Sequence, residues 1–184
     1  GMTTAQVVAL TTAQVRVLTS DSLQAFSDSQ LQAMQVVDLA ALTTAQIAAL
    51  TPAQTAVLTT AQIVALTTAQ AAALTASQAS ALTTTQLLRM ESADFAALGT
   101  DQLAALDASQ VAVLTTAQIR ALTPAKLAAL DTDVSALSSA AVAVLTTQQI
   151  AGLTTAQIEA LTTLQISRLS NSQLASLTTA QVQA

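Results

Sequence analysis

The sequence predicts an all-α fold: an α-solenoid, or superhelical rod, of about 23 very short two-turn helices, one per octapeptide repeat. Three observations carry that prediction. Leucine or a substitute recurs every eight residues, a helix-start signature follows each leucine, and acidic and basic residues sort to opposite ends of the units.

The repeat comes first. Leu10, Leu18, Phe26, Met34, Leu42 and Leu50 open a series that runs without a slip through Met90 to Leu130. The stretch DTDVSAL, Asp131 to Leu137, is one residue short, and the spacing resumes through Leu145, Leu153, Leu161, Leu169 and Leu177. The whole chain, 1–184, therefore reads as a single octapeptide-repeat domain with a one-residue register break at 131–137. The consensus is L-T-T-A-Q-I-A-A; within each octad the residue after the leucine is counted as first, so Gln is fourth, Ile fifth and the next Leu eighth.

A continuous helix has no use for this period, because eight residues at about 100° each leave the leucines drifting by about 80° per repeat. Coiled coils need periods of seven or eleven. A β-solenoid needs turn residues at fixed offsets, whereas Gly is scarce and Ala, Gln and Leu dominate. Many short helices remain.

Each helix has the same start. The first position is Thr in 15 of 23 octads, Ser in three, Asp in two and Gly at Gly99, leaving Gln35 and Glu91 outside the preferred N-cap set. Gln three residues later, in 17 octads, completes a T-x-x-Q capping box. The leucine before the cap and the fifth-position aliphatic, such as Leu42 and Ile47, stand at N′ and N4 as a hydrophobic staple. Pro52 and Pro124 both follow a capping Thr and so occupy N1, where the missing N–H is an orphan in any case and the fixed φ is already helical. Nine of ten acids, all but Glu159, lie in the first four positions of their octads. Arg16, Arg89, Arg120 and Arg168 lie near the ends, and only Lys126 departs from the pattern. That sorting complements a dipole belonging to each octad separately.

A helix this short is unstable alone in water. The fold must come from stacking, with one- or two-residue corners, a continuous Leu/Ile/Val core, alanines at close approaches, and an outer surface of Thr, Gln and Ser. Phe26, Phe95, Met34 and Met90 take core slots in this reading. Handedness and the number of helices per superhelical turn stay open. A disordered tract is the competing reading, but such tracts are poor in Leu, Ile and Val and have no reason to keep caps in register.

Composition narrows the function. The net charge is −5 with only five scattered Lys and Arg, which argues against a nucleic-acid surface. Mean hydropathy is +0.58, yet Thr or Gln interrupts every apolar run before about 18 residues, so no membrane span is expected. No secretory leader is recognisable, Gly1 before Met2 reads as an expression scar, and the chain ends within an octad at Ala184, as a segment of something longer would. Cysteine is absent, so redox compartment is unmarked.

His and Tyr are absent too, and Lys occurs once, so the usual general acids, bases and activated nucleophiles are missing. No catalytic residue, cofactor-binding residue or metal ligand is assigned, and the chain is expected not to be an enzyme. Asp131 and Asp133 offer oxygens to a hard cation, but they read better as an N-cap and a first-turn acid. The cluster RMESADF brings Arg89, Glu91 and Asp94 together as a candidate interaction site, although one helix end meeting the next helix start gives the same charges.

The stretch LTTAQIAALTPAQTAVLTTAQIVALTTAQ resembles the LTTAQ-type octapeptide tracts of large, repetitive bacterial proteins, often ones assigned to the cell surface or to secretion. The resemblance covers almost the whole chain. It implies a bacterial stalk, spacer or adhesion segment and carries over no functional residues. The irregular stretches DSLQAFSDSQ and ESADFAAL depart from the pattern.

The leading functional expectation is a structural or protein-interaction module whose partner is another protein or other domains of the same polypeptide. The alternative is a surface or ligand binder, ice for example, using the regular Thr array. Against it, Asp28, Val36, Pro52, Ala76, Ala108 and Pro124 interrupt the second-position ladder, and the first Thr is engaged in capping.

Overall fold

A computed structural model describes residues 2–183. Among them lie 22 short α-helices and one 3-10 helix, with no strand. They fall into two compact units, residues 1–98 and 99–184. The first carries the helices from Thr4–Val8 to Ser92–Ala97, the second those from Thr100–Ala104 to Thr179–Gln183. No helix of the described residues is long and apolar enough to cross a membrane.

Each α-helix begins where the capping signature places it. In the octad of Thr51, the Thr51 Oγ1 accepts from the Gln54 backbone N–H at 3.1 Å, and the Thr51 N–H donates to Gln54 Oε1 at 3.0 Å. Pro52 is the first helical residue of Pro52–Val57, and Pro124 opens Pro124–Ala128 in the same way. Gly99 has no side chain, so only the return half of its box forms, from its N–H to Gln102 Oε1. Gln35 and Glu91 make no side-chain cap bond.

The corners explain why the sequence needs so little glycine. Leu50 (φ −59°, ψ 141°) and Thr51 (φ −69°, ψ 156°) are both extended, so two ordinary residues turn the chain. The Leu50 N–H closes the last turn on the Ile47 carbonyl at 3.2 Å. No left-handed C-terminal residue of the usual glycine type is required.

Within each unit a helix packs on the helix three places ahead. Pro52–Val57 lies against Ala76–Ala81, Thr68–Ala72 against Ser92–Ala97, and, in the second unit, Pro124–Ala128 against Thr147–Ala151. Three octads thus complete one layer of the solenoid. The fifth and eighth positions form its core: Ile47 and Leu50 are buried, as are Phe26, Met34, Met90 and Phe95 in their slots. Thr55 occupies a fifth position and is tolerated there because its hydroxyl donates back to the Thr51 carbonyl at 3.1 Å. At Ile166, Leu174 and Val182 the fifth position is 37, 42 and 69 % exposed, because no octad three places ahead covers it.

The shortened octad keeps its place in the stack by changing helix type. Asp131–Ala136 is a 3-10 helix that packs against Ala108–Ala112 and Thr155–Ala160. Six 3-10 residues rise about 12 Å, against about 8–9 Å for a five- or six-residue α-helix, so fewer residues bridge the layer. The expectation that Asp131 is an N-cap is corrected here. Leu130 holds that place without a side-chain cap bond, and Asp131 lies in the left-handed region at φ 48°, where Asp is among the more tolerated non-glycine residues.

Candidate functional site

The expectation that fourth-position glutamines face solvent is overturned. From Gln46 to Gln86, and again from Gln149 to Gln181, every fourth-position Gln is buried. The reason lies at the amide. Gln70 accepts from the Thr67 N–H at 2.9 Å through Oε1, and its Nε2 donates to the carbonyls of Leu39 at 3.0 Å, Ala40 at 3.3 Å and Leu42 at 2.8 Å. Those carbonyls end the helix Val36–Ala41, four places back, where the Leu39 carbonyl also accepts the closing bond from the Leu42 N–H at 3.1 Å and the last carbonyls of so short a helix run out of intrahelical donors. One side chain therefore caps the start of its own helix and the end of another.

The clamp repeats along the chain. Gln46 reaches Val15 and Leu18, Gln62 reaches Leu31 and Met34, and Gln78 reaches Ile47 and Leu50, each 31 and 28 residues back. In the second unit Gln165, Gln173 and Gln181 do the same. Across the short octad the offsets of Gln149 become 30 and 27, so the spatial register survives the missing residue. Glutamate, the usual partner in a capping box, lacks the donors that this second task requires. Gln6 and Gln14, with no octad four places back, are exposed.

A second link uses the sixth position. Arg16 Nε, Gln24 Nε2 and Gln32 Nε2 donate forward by 25 residues to the carbonyls of Ala41, Ala49 and Val57. The surface left outside these links consists mainly of first-, second- and third-position Thr, Ala and Ser.

Arg89, Glu91 and Asp94 are placed differently from one another. Arg89 joins Val36, Thr60, Ala61 and Val64 in an open groove of the first unit. Glu91 is exposed at the cap position. Asp94 is buried, and its Oδ1 accepts from the Thr68 hydroxyl at 2.8 Å. Asp133 lies in the first turn of the 3-10 helix, half-buried, while Asp131 is exposed. Among the described residues no three His, Cys, Asp or Glu side chains gather in a metal-binding group.

Sequence reasoning missed a pair of variant octads. MQVVD, Met34 to Asp38, and MESAD, Met90 to Asp94, share a methionine before the cap, a long polar residue at the cap and Asp in place of the clamping Gln. In the first of these, Gln35 donates to the Val8 carbonyl at 2.7 Å from the cap position, taking over part of the missing clamp. Asp38 is only 2 % exposed, and its Oδ2 accepts no hydrogen bond. The shared M-[QE]-x-x-D spelling was the available signal.

No curated protein and no solved structure matches this chain. The family model described as the ALTTAQ repeat matches at residues 31–68, 87–124 and 127–163. Those segments make up more than half of the sequence, and so the chain belongs to the ALTTAQ repeat family.

Proposed function

We propose that the chain is a structural repeat module, a spacer or scaffold that holds other domains of its polypeptide, or a protein partner, at a set separation, without catalytic activity. The observation that carries this reading is the glutamine clamp. Within each unit, octads that carry the clamping Gln are tied to the octad four places back by hydrogen bonds buried from water, so added consensus octads extend the same ladder. A stalk or adhesion segment of a bacterial surface protein is the setting that the repeat's resemblance suggests.

The test uses the absence of cysteine. Dyes are placed at Thr12→Cys and Thr84→Cys, both exposed positions in the first unit, with and without three extra consensus octads between them. A spacer gains one layer, roughly 8–10 Å, in the distance read by energy transfer. An unchanged distance would sink the proposal.

A further inference from the structure

Three octads complete a layer, so the first unit has three sides, and large apolar and basic departures from the consensus gather on one of them. The helices Thr12–Arg16, Val36–Ala41, Thr60–Val64 and Thr84–Arg89 stack each on the next along that side. Among the described residues of this unit six large apolar side chains are exposed, and five of them, Val17, Val36, Val37, Val64 and Leu88, lie in these four octads. The sixth is Val8, on another side. Apolar residues scattered singly over a surface are ordinary, whereas a gathered set marks a place of contact. The unit's two arginines, Arg16 and Arg89, lie on the same side, and both are exposed. Its exposed acids, Asp21, Asp28 and Glu91, stand in octads of the other two sides, and the acid of these four octads, Asp38, is buried. The consensus puts Thr or Ala at every one of the seven apolar and basic positions, so the fold itself does not call for Val, Leu or Arg there.

The open groove belongs to this side. Val36, Thr60, Ala61, Val64 and Arg89 line it, bringing apolar side chains and a guanidinium together from three successive helices. Arg16, whose Nε bond to the Ala41 carbonyl holds it against the second helix of the column, stands three layers from Arg89, roughly 25–30 Å at ordinary helix spacing. An α-helix of about 18 residues covers about 27 Å. We infer that this side of the first unit is a docking surface for an acidic amphipathic helix of a partner protein, which lays its apolar face along the groove and sets Asp or Glu side chains against Arg89 and Arg16. An anionic lipid surface is less well matched, because it draws on clusters of about four to eight basic residues and two are present here. Docking on this side requires nothing of the spacer role, which concerns distance along the stack, so either can fail without the other.

The experiment pans the full chain against a random library of peptides about 18 residues long and measures the selected peptides by fluorescence anisotropy. The expected peptides combine Asp and Glu with Leu, Ile or Phe at three- and four-residue spacing, and they bind less tightly as salt rises. Variants that restore consensus residues test the surface while leaving the fold intact. Val36→Thr combined with Val64→Ala weakens binding by about tenfold, and Arg89→Ala weakens it by about three- to tenfold and lessens the salt dependence. Val8→Ala, an equivalent truncation on another side, leaves the affinity unchanged. A library that yields no binder, peptides without acidic residues, or an affinity that these substitutions on the groove do not move overturns the proposal. Self-association of the chain, or sedimentation with phosphatidylglycerol vesicles, that is lost in the groove variants while no acidic peptide binds would overturn it in favour of a second copy or a lipid surface.

Discussion

Gln78 donates from Nε2 to the Leu50 carbonyl at 2.7 Å while its Oε1 accepts from the Thr75 N–H at 2.7 Å, so one amide joins the start of its own helix to a helix end 28 residues before Gln78 in the chain. Gln78→Glu retains the acceptor and loses both donors, placing a carboxylate against carbonyl oxygens. The substitution should destabilise by ~3 kcal/mol, the range for an unpaired buried charge. Gln14→Glu, at an exposed fourth position, should change stability by less than about 0.5 kcal/mol. Urea midpoints of the two variants test this, and equal effects would remove the clamp from the account.

The proline at position 52 offers a test of the helix boundary. Pro52→Thr combined with Gln54→Pro leaves composition nearly unchanged and moves the ring from N1 to N3. The new proline has no N–H for Thr51 to accept, and the lost Gln54 amide abandons the carbonyls of Leu23, Gln24 and Phe26. Cap loss of ~1 kcal/mol adds to ~1–3 kcal/mol for stranded buried carbonyls. A continuous helix would make the two positions equivalent interior sites. Matching urea midpoints for parent and variant would therefore argue against a helix starting at Thr51.

Gly152 ends the helix Thr147–Ala151 in an ordinary right-handed conformation (φ −86°, ψ −7°), where alanine would normally stabilise by about 0.4–1 kcal/mol. A Cβ at this position would lie 2.5 Å from the Cβ of Pro124, in the helix three places back. Gly152→Ala should accordingly destabilise by ~1–3 kcal/mol through overpacking. A rise in Tm would show that these two helices have room to separate.

Asp131, at φ 48°, should respond in the opposite sense. Asp131→Gly removes the Cβ from the left-handed conformation and should stabilise by about 1 kcal/mol. The Gln157 clamp, which here reaches the Asp131 backbone carbonyl at 3.0 Å, is left intact. Calorimetry of the variant reads the change directly; a lower Tm would contradict the strain assigned to this octad.

The sequence by itself determined what lies within a few residues of each cap. Thr51 with Gln54, Pro52 at N1 and the Leu42–Ile47 staple are local relations, set by bonds and contacts three to five residues apart, and they place the helix starts without reference to the rest of the chain. The triplet Arg89, Glu91 and Asp94 shows the limit of that reading. Adjacent in sequence, these residues go to an open groove, an exposed cap and a buried bond with Thr68, because burial depends on which helix is stacked alongside. Tertiary structure alone decided that three octads make a layer and that Gln faces inward. The Gln side chain is amphiprotic: its oxygen completes a box legible at i+3, while its nitrogen seeks carbonyls 28 to 31 residues away, at a distance set only by the layer repeat. For the same reason neither the left-handed turn at Asp131 nor the contact of Gly152 with Pro124 was legible in advance. The first arises from fitting a seven-residue unit into a stack whose spacing the other octads impose, the second from the packing of helices three places apart.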